Sequence, residues 1–182
     1  MDRRQRKTRD AIFKAFTELL SKKDFSAITV GEIIECADVG RATFYAHFET
    51  KEFLLKELCE ELFCHLFDSM KGEHSHHHIF NCNAPDSAFL HLFEHLENND
   101  NKILDLLSGE NNGLFLQYFK KDLLHLIYSQ LDNLKTEKHK GLPQEFLANH
   151  IASTFVETVK WWVDNGKQES CSQITDYFFT VI

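Results

Sequence analysis

Proline and glycine are scarce in this sequence, with two prolines and seven glycines among 182 residues. Because β-turns and hairpins depend on these residues, their scarcity argues against an all-β fold and favours helices joined by short breaks. No continuous apolar run approaches the roughly 18 residues that a membrane span needs. No apolar segment follows the N-terminal charges, so we expect a cytoplasmic protein without a signal peptide or membrane anchor.

Common chemical signatures are also missing. The five cysteines are odd in number and form no Cys-x-x-Cys motif, so neither a disulfide framework nor a zinc knuckle is predicted, and we expect buried free thiols. The motifs G-x-G-x-x-G, G-x-x-x-x-G-K-[ST] and G-x-S-x-G are absent, which removes the commonest nucleotide-binding and hydrolase signatures. We therefore expect no cofactor and no enzymatic activity.

Arginine does not occur beyond position 41, although the first 41 residues contain five. The chain has a net charge of −8, but this charge is unevenly distributed. Residues 1–57 hold 11 Lys and Arg against 10 Asp and Glu, whereas the remaining residues hold 9 against 18. A polyanionic partner is therefore expected to meet the N-terminal part of the chain only.

Apolar residues recur every three or four positions through most of the sequence, which predicts an all-α protein. A small N-terminal bundle passes into a larger acidic helical body at about residue 50, so we expect domains at 1–50 and 51–182. Residues 71–84 lack this periodicity and are predicted to form a loop. The predicted helices cover residues 8–20, 29–37, 41–48, 51–70, 86–98, 101–108, 114–134, 143–166 and 172–182.

Two short helices joined by a tight turn form the most informative local pattern. Thr29-Val-Gly-Glu32 matches a capping box, in which the Thr29 side chain accepts a hydrogen bond from the Glu32 backbone N–H. Residues 38–40 interrupt this helix before another of about two turns, whose Phe44 and Phe48 lie on one face. This arrangement is typical of a helix-turn-helix.

From the first helix through T-V-G-E-I-I-E-C-A-D-V-G-R-A-T-F-Y-A-H-F-E-T-K-E-F-L-L (residues 29–55), the sequence resembles the DNA-binding domain of the TetR (tetracycline repressor) family of bacterial regulators. The most specific part is T-x-Y-x-H-F-x-x-K at 43–51. Asp38 stands where members usually carry a left-handed Gly, and Gly40 stands where many carry an N-capping Ser. Because Asp tolerates the left-handed conformation and Gly is an acceptable N-cap, we expect the motif to survive.

A helix-turn-helix inserts the N-terminal end of its second helix into the major groove of DNA. Arg41, Ala42 and Thr43 are therefore predicted to face base edges, with Arg41 suited to bidentate contact with guanine and the other two to a thymine methyl group. Residues 3–9 are predicted to be a disordered arm that adds phosphate or minor-groove contacts. The side chains predicted to contact phosphates are Thr29, Tyr45, His47 and Lys51.

The resemblance also implies a homodimer whose last two helices form a four-helix bundle, so that two recognition helices bind a pseudo-palindromic operator. It implies a repressor in which an effector tilts the fourth helix and changes the separation of the recognition helices. A member that acts as an activator, or that responds to a protein partner, is the alternative. The apolar residues at suitable spacing for the dimer seam are Phe146, Leu147, Ile151, Phe155, Val159 and Trp162.

Phenylalanine is unusually frequent, with 17 residues against four tyrosines. Six phenylalanines fall on the apolar faces of separate helices in the C-terminal part and are predicted to converge. They are expected to form either ordinary core or the lining of a cavity for a hydrophobic or aromatic effector. These residues are Phe63, Phe67, Phe89, Phe93, Phe115 and Phe119.

The segment H91-L-F-E-H95 spells H-x-x-E-H, the zinc-binding pattern of inverted zinc peptidases. Two histidines four apart arise easily by chance among 11 histidines, and the segment is otherwise an ordinary amphipathic helix. We therefore expect no catalytic metal, and a metal-dependent enzyme is a remote alternative. A non-catalytic metal site that adds His65 or the histidines of residues 74–78 stays open.

Overall fold

The structure, a computed structural model of the chain, describes residues 3–70, 87–98, 102–108 and 113–182. These residues form nine α-helices and no strand, so the all-α prediction is confirmed. No helix among them has the length and apolar character to cross a membrane. The helices are α1 (Arg3–Leu20), α2 (Val30–Cys36), α3 (Arg41–His47), α4 (Lys51–Met70), α5 (Ala88–Asn98), α6 (Lys102–Ser108), α7 (Gly113–Leu134), α8 (Gln144–Asp164) and α9 (Cys171–Val181).

The first helix is longer than its apolar periodicity indicates. It begins at Arg3 instead of Thr8, so the prediction of a disordered arm at residues 3–9 is wrong. Arg, Lys and Gln are good helix formers, and their charge does not prevent this end of the helix from forming. The Thr8 hydroxyl also donates a hydrogen bond to the backbone oxygen of Arg4 at 3.1 Å. The predicted loop at 71–84 lies outside the described residues.

Local capping rules place several helix ends correctly. The predicted capping box at Thr29 and Glu32 is confirmed, and a second capping box joins Ser170 to Gln173 at the start of α9. Pro143 is the N-cap of α8 and not its first helical residue, which corrects the prediction by one position. Gly166 follows the end of α8 with φ +73, the left-handed geometry that glycine adopts without steric cost.

The N-terminal helices share a small aromatic core. Phe13 and Phe16 of α1 are fully buried, as are Phe44 and Phe48 at the two ends of the α3 core face. The rings of Phe13 and Phe48 meet edge to face with their centroids 5.3 Å apart. The third helix is therefore fixed against the first by two large side chains that leave its other face open.

The C-terminal body contains a second, larger aromatic core. Phe155 of α8 lies at its centre, and its ring contacts the rings of Phe89, Phe93 and Phe119 at centroid distances of 6.0, 4.8 and 6.3 Å. Phe63 and Phe115 join through Phe119, so five of the six phenylalanines converge as predicted. Phe67 is partly buried against the same core, and its ring contacts His125 of α7. Ligand binding by these six residues stays a prediction.

Helix α8 is covered on most sides, because it contacts α6, α7 and α9. Five of the six residues assigned to the dimer seam are consequently at most 2% exposed within the single chain, and their assignment to the seam is wrong. Only Phe146 is exposed. The five core residues are Leu147, Ile151, Phe155, Val159 and Trp162.

The cysteines divide into two groups. Cys59 and Cys171 are buried free thiols as predicted, whereas Cys36 and Cys64 are exposed. Burial raises the pKa of the Cys59 thiol well above its ordinary value, so this group stays protonated near neutral pH. Cys82 lies outside the described residues.

Candidate DNA-binding surface

Helix α3 has one buried face and one exposed face. Phe44 and Phe48 are fully buried, whereas Arg41, Ala42 and Thr43 on the first turn are exposed. Arg41 has no hydrogen bond or ion pair with any other residue of the described ranges, so its guanidinium is available to a ligand. The structure thus brings together, on one exposed turn, the three residues predicted to meet base edges.

The turn before α3 accommodates both departures from the family pattern. Asp38 has φ 51 and therefore adopts the left-handed conformation expected of the usual glycine. Gly40 is the N-cap of α3 with extended backbone angles, and no side chain caps the helix. The recognition helix consequently begins at Arg41 as predicted, but its first turn lacks one hydrogen bond that serine would supply.

Replacing Gly40 with serine is expected to stabilise the protein. A side chain fits, because the nearest atom to an added Cβ is Thr43 Oγ1 at 3.5 Å and the backbone φ is −74. The serine oxygen can accept a hydrogen bond from the Thr43 backbone N–H, and replacing glycine also reduces the conformational freedom of the unfolded chain. Together these effects should raise the free energy of unfolding by about 0.5 kcal/mol, which urea unfolding measures. Gly40→Ala is the matched control, and a serine variant no more stable than the alanine variant would contradict the capping argument.

Two of the predicted phosphate contacts, Tyr45 and His47, lie on the same helix as the base-facing residues. Tyr45 is exposed, and its ring meets that of Phe44 edge to face with centroids 5.4 Å apart. His47 is in the last turn and its ring lies against Phe48. Both side chains are accessible beside the recognition turn, and their phosphate contacts stay predictions.

The other two predicted phosphate ligands, Thr29 and Lys51, already have partners within the chain. The Lys51 ammonium donates hydrogen bonds to three backbone oxygens, those of Phe25, Ser26 and Ile28, at 3.0, 3.3 and 2.7 Å. An ammonium has three N–H donors, so all of them are used. A direct phosphate contact by Lys51 stays a prediction, and it requires the loss of one of these bonds.

At the N-terminus of α2, Thr29 is hydrogen-bonded to the carboxylate of Glu32 in the same helix. The Thr29 backbone N–H and hydroxyl both donate to Glu32 Oε2, at 2.9 and 2.8 Å, and Lys23 pairs with Glu32 Oε1. Hydrogen bonds from Lys23 and then from Thr29 lower the pKa of Glu32 to about 2. This carboxylate is therefore ionised near neutral pH at the positive end of the helix, and a phosphate contact by Thr29 stays a prediction.

Replacing Lys51 with alanine is expected to lower the free energy of unfolding by about 1–2 kcal/mol. Three backbone carbonyls lose a charged hydrogen-bond donor. The cation–π contact between the Lys51 ammonium and the Phe25 ring, whose centroid is 4.6 Å from Nζ, is also lost. Thermal unfolding measures this loss of stability, with Lys56→Ala, which removes an exposed pair with Glu60, as control. The salt dependence of DNA binding then tests the phosphate contact. If Lys51 contacts a phosphate directly, the Lys51→Ala variant should show a shallower slope of log binding constant against log salt concentration. An unchanged slope in the folded variant assigns Lys51 a structural role.

The first two turns of α1 place further cations near the recognition helix. Arg3, Arg4 and Lys7 line an open groove of about 530 Å³ whose other wall is the turn at residues 37–39. Because the arm is helical, these charges have fixed positions relative to α3. Such a groove suits DNA phosphates, which position a protein on the duplex without determining sequence.

Arg9 behaves differently from the other arginines of this segment. Its guanidinium lies 2.7 Å from Glu57 and 2.7 Å from Glu61 of α4, and it stacks over the rings of Phe13 and Phe48. Burial alone lowers the pKa of Arg9, but hydrogen bonds to Glu61 and Glu57 outweigh burial and raise it. Arg9 therefore joins α1 to α4 and is not placed for DNA contact.

Comparison with known proteins agrees with this geometry. The family described as "Bacterial regulatory proteins, tetR family" matches residues 12–58, and the family described as "Transcriptional regulator C-terminal region" matches residues 83–182. The structure of a TetR transcriptional regulator from Streptococcus agalactiae 2603V is 36% identical, with a TM-score of 0.75, and the match covers 99% of this chain and 96% of that one. The chain belongs to the TetR family of DNA-binding transcriptional regulators.

More distant relatives share the fold or part of the sequence. FadR from Bacillus subtilis in complex with stearoyl-CoA is 18% identical with a TM-score of 0.61, covering 94% of this chain and 95% of that one. The uncharacterized HTH-type regulator YxbF of Bacillus subtilis (strain 168) is 24% identical over 168 residues, which are 92% of this chain and 42% of YxbF. The chain thus spans less than half the length of the curated relatives it matches.

Proposed function

We propose that this chain is a ligand-responsive transcriptional repressor that binds a pseudo-palindromic operator as a homodimer. The observation that carries the proposal is the exposure of Arg41, Ala42 and Thr43 on a helix whose other face is fixed by buried Phe44 and Phe48. Residues 1–50 form the proposed DNA-binding domain, and residues 51–182 form the proposed body for effector binding and dimerisation.

Fluorescence anisotropy against the DNA immediately upstream of the chain's own gene tests DNA recognition. Because non-specific binding is electrostatic, the measurement belongs at about 150 mM salt with excess competitor DNA. Nanomolar binding that survives the competitor is the expected result. If this DNA binds weakly, bound fragments are selected from the whole genome, and failure to enrich any fragment would overturn the proposal.

The proposed dimer interface is the outer face of α8 and α9. Its exposed apolar side chains include Phe146, Trp161, Tyr177 and Val181. Together with polar residues such as Ser153, several of these line a shallow groove of about 560 Å³. Exposed aromatic side chains grouped on one face are typical of protein interfaces, and a second copy of the same face, related by a twofold axis, would cover them.

Dimerisation also follows from the size of the DNA-binding surface. A single turn that presents Arg41, Ala42 and Thr43 makes too few base contacts to distinguish one genomic site from many. Two copies related by a twofold axis double these contacts and bind two half-sites separated by about one helical turn of DNA. A dimer through α8 and α9 supplies the two copies.

Helix α4 is the proposed connection between effector and DNA. Near the middle of this helix, Glu57 and Glu61 bind Arg9 of α1, and further along Phe63 contacts Phe119 within the aromatic core of the body. A shift of α4 would therefore be transmitted to α1 and to Phe48 behind the recognition helix. An effector reduces operator affinity only if it binds more tightly to the conformation that fits the operator less well.

The aromatic core favours an apolar effector. Stearoyl-CoA, which is bound in the FadR structure, is a reasonable first probe, followed by free fatty acids and aromatic compounds. The expected result is a fall in operator affinity when the ligand saturates the protein. If no apolar ligand changes the affinity, the ligand-responsive part of the proposal fails while DNA recognition stands on its own assay.

A further inference from the structure

His91 and His95 form a close pair inside the body that the proposed DNA-binding function does not use. They lie one turn apart on α5 and are 1% and 5% exposed. Their Nε2 atoms are 3.0 Å apart, and the ring centroids are separated by 4.7 Å. At this distance two neutral imidazoles share one N–H, with one ring donating and the other accepting.

We infer that this pair is a bidentate site for a divalent transition-metal ion, with the two Nε2 atoms as ligands. Metal–imidazole bonds of about 2.0–2.1 Å from one ion to two nitrogens 3.0 Å apart enclose an angle of about 95°. This is close to the right angle of square-planar and octahedral coordination, whereas a tetrahedral ion needs about 3.3 Å between the nitrogens. The spacing therefore suits the right-angle coordination of Ni²⁺ or Cu²⁺.

Coordination would change the tautomer of one ring. For both Nε2 atoms to bind the ion, the imidazole that donates the shared N–H must carry its proton on Nδ1 instead, so both rings stay neutral and no proton is lost.

The same geometry gives no support to the zinc-hydrolase alternative. Across the described parts of the chain, no third His, Cys, Asp or Glu side chain joins the pair to complete a three-ligand group. Both histidines are buried while Glu94 is partly exposed, so the glutamate of the motif does not share their environment. An ion held by the two histidines would therefore take its remaining ligands from water or from a bound anion. This is the coordination of a metal-binding site and not of a three-ligand hydrolase centre.

The test uses untagged, chelator-treated protein in which His74, His76, His77 and His78 are all replaced by glutamine, because that histidine run alone can bind metal. Ni²⁺, Cu²⁺ and Zn²⁺ are each titrated by calorimetry, and thermal unfolding is recorded with and without the ion. We expect one Ni²⁺ or Cu²⁺ per chain and a higher unfolding midpoint. His91→Gln or His95→Gln should weaken binding at least tenfold, whereas the exposed-site control His125→Gln should not.

Electron paramagnetic resonance of the Cu²⁺-loaded background protein supplies a readout that does not depend on folding of the His91 and His95 variants. Two equatorial nitrogen ligands are expected. Absence of binding in the glutamine background, or equal affinity in the folded His91→Gln variant, would overturn the inference. DNA binding is measured separately, so loss of the metal site leaves the proposed regulatory function untouched.

Discussion

Replacing Trp161 with glutamate is expected to convert the proposed dimer into monomers and to reduce operator affinity by at least about a thousandfold. Trp161 is 46% exposed and lies against Tyr177, with ring centroids 6.4 Å apart, within the apolar face of α8 and α9. A twofold axis through this face would bring two introduced carboxylates into one buried interface, where neither has a cationic partner. Without the dimer, the two half-sites are no longer bound by one molecule.

Sedimentation velocity measures the oligomeric state, and fluorescence anisotropy with the selected operator measures DNA affinity. Tyr128→Glu is the matched control, because Tyr128 is also 46% exposed but lies on α7, away from the residues that line the α8–α9 groove. This variant should remain dimeric and bind DNA like the parent. A Trp161→Glu protein that stays dimeric would place the interface elsewhere.

The dimer face illustrates what periodicity leaves undetermined. Leu147, Ile151 and Phe155 recur at the spacing of a helix seam, and the sequence correctly predicts that they share an apolar face. Periodicity does not indicate whether that face is covered by another helix of the same chain or by a second chain. Since α6, α7 and α9 all contact α8, the face is covered internally. The exposed face mixes Phe146 and Trp161 with polar residues, so its pattern is weak.

In the N-terminal region, local rules succeed where long-range ones fail. The cap at Thr29 and the left-handed Asp38 depend on residues within a few positions, and sequence reasoning predicts both. Sequence reasoning wrongly includes Arg9 in a DNA-contacting arm, because its partner Glu61 is 52 residues away. The three carbonyls around Lys51 likewise come together only when the chain turns before α2.

Replacing Arg41 with alanine is expected to cost about 1–3 kcal/mol of operator binding per half-site, and about 2–6 kcal/mol for the dimer if the half-sites are independent. A guanidinium can donate two parallel hydrogen bonds to guanine O6 and N7, which no other base pair accepts in the same geometry. Its loss should therefore relax the preference at one base position in each half-site. Unfolding stability should hardly change, because Arg41 makes no hydrogen bond or ion pair within the described residues.

The control Arg41→Lys keeps the positive charge but removes the planar pair of donors. If Arg41 contacts guanine, both variants lose discrimination between operators that differ at that base, while the lysine variant keeps most of the salt-dependent binding. If Arg41 contacts only phosphate, the lysine variant should bind like the parent, and the alanine variant should weaken binding to every sequence by a similar factor. Anisotropy titrations against operators with single base changes, at two salt concentrations, separate the two cases.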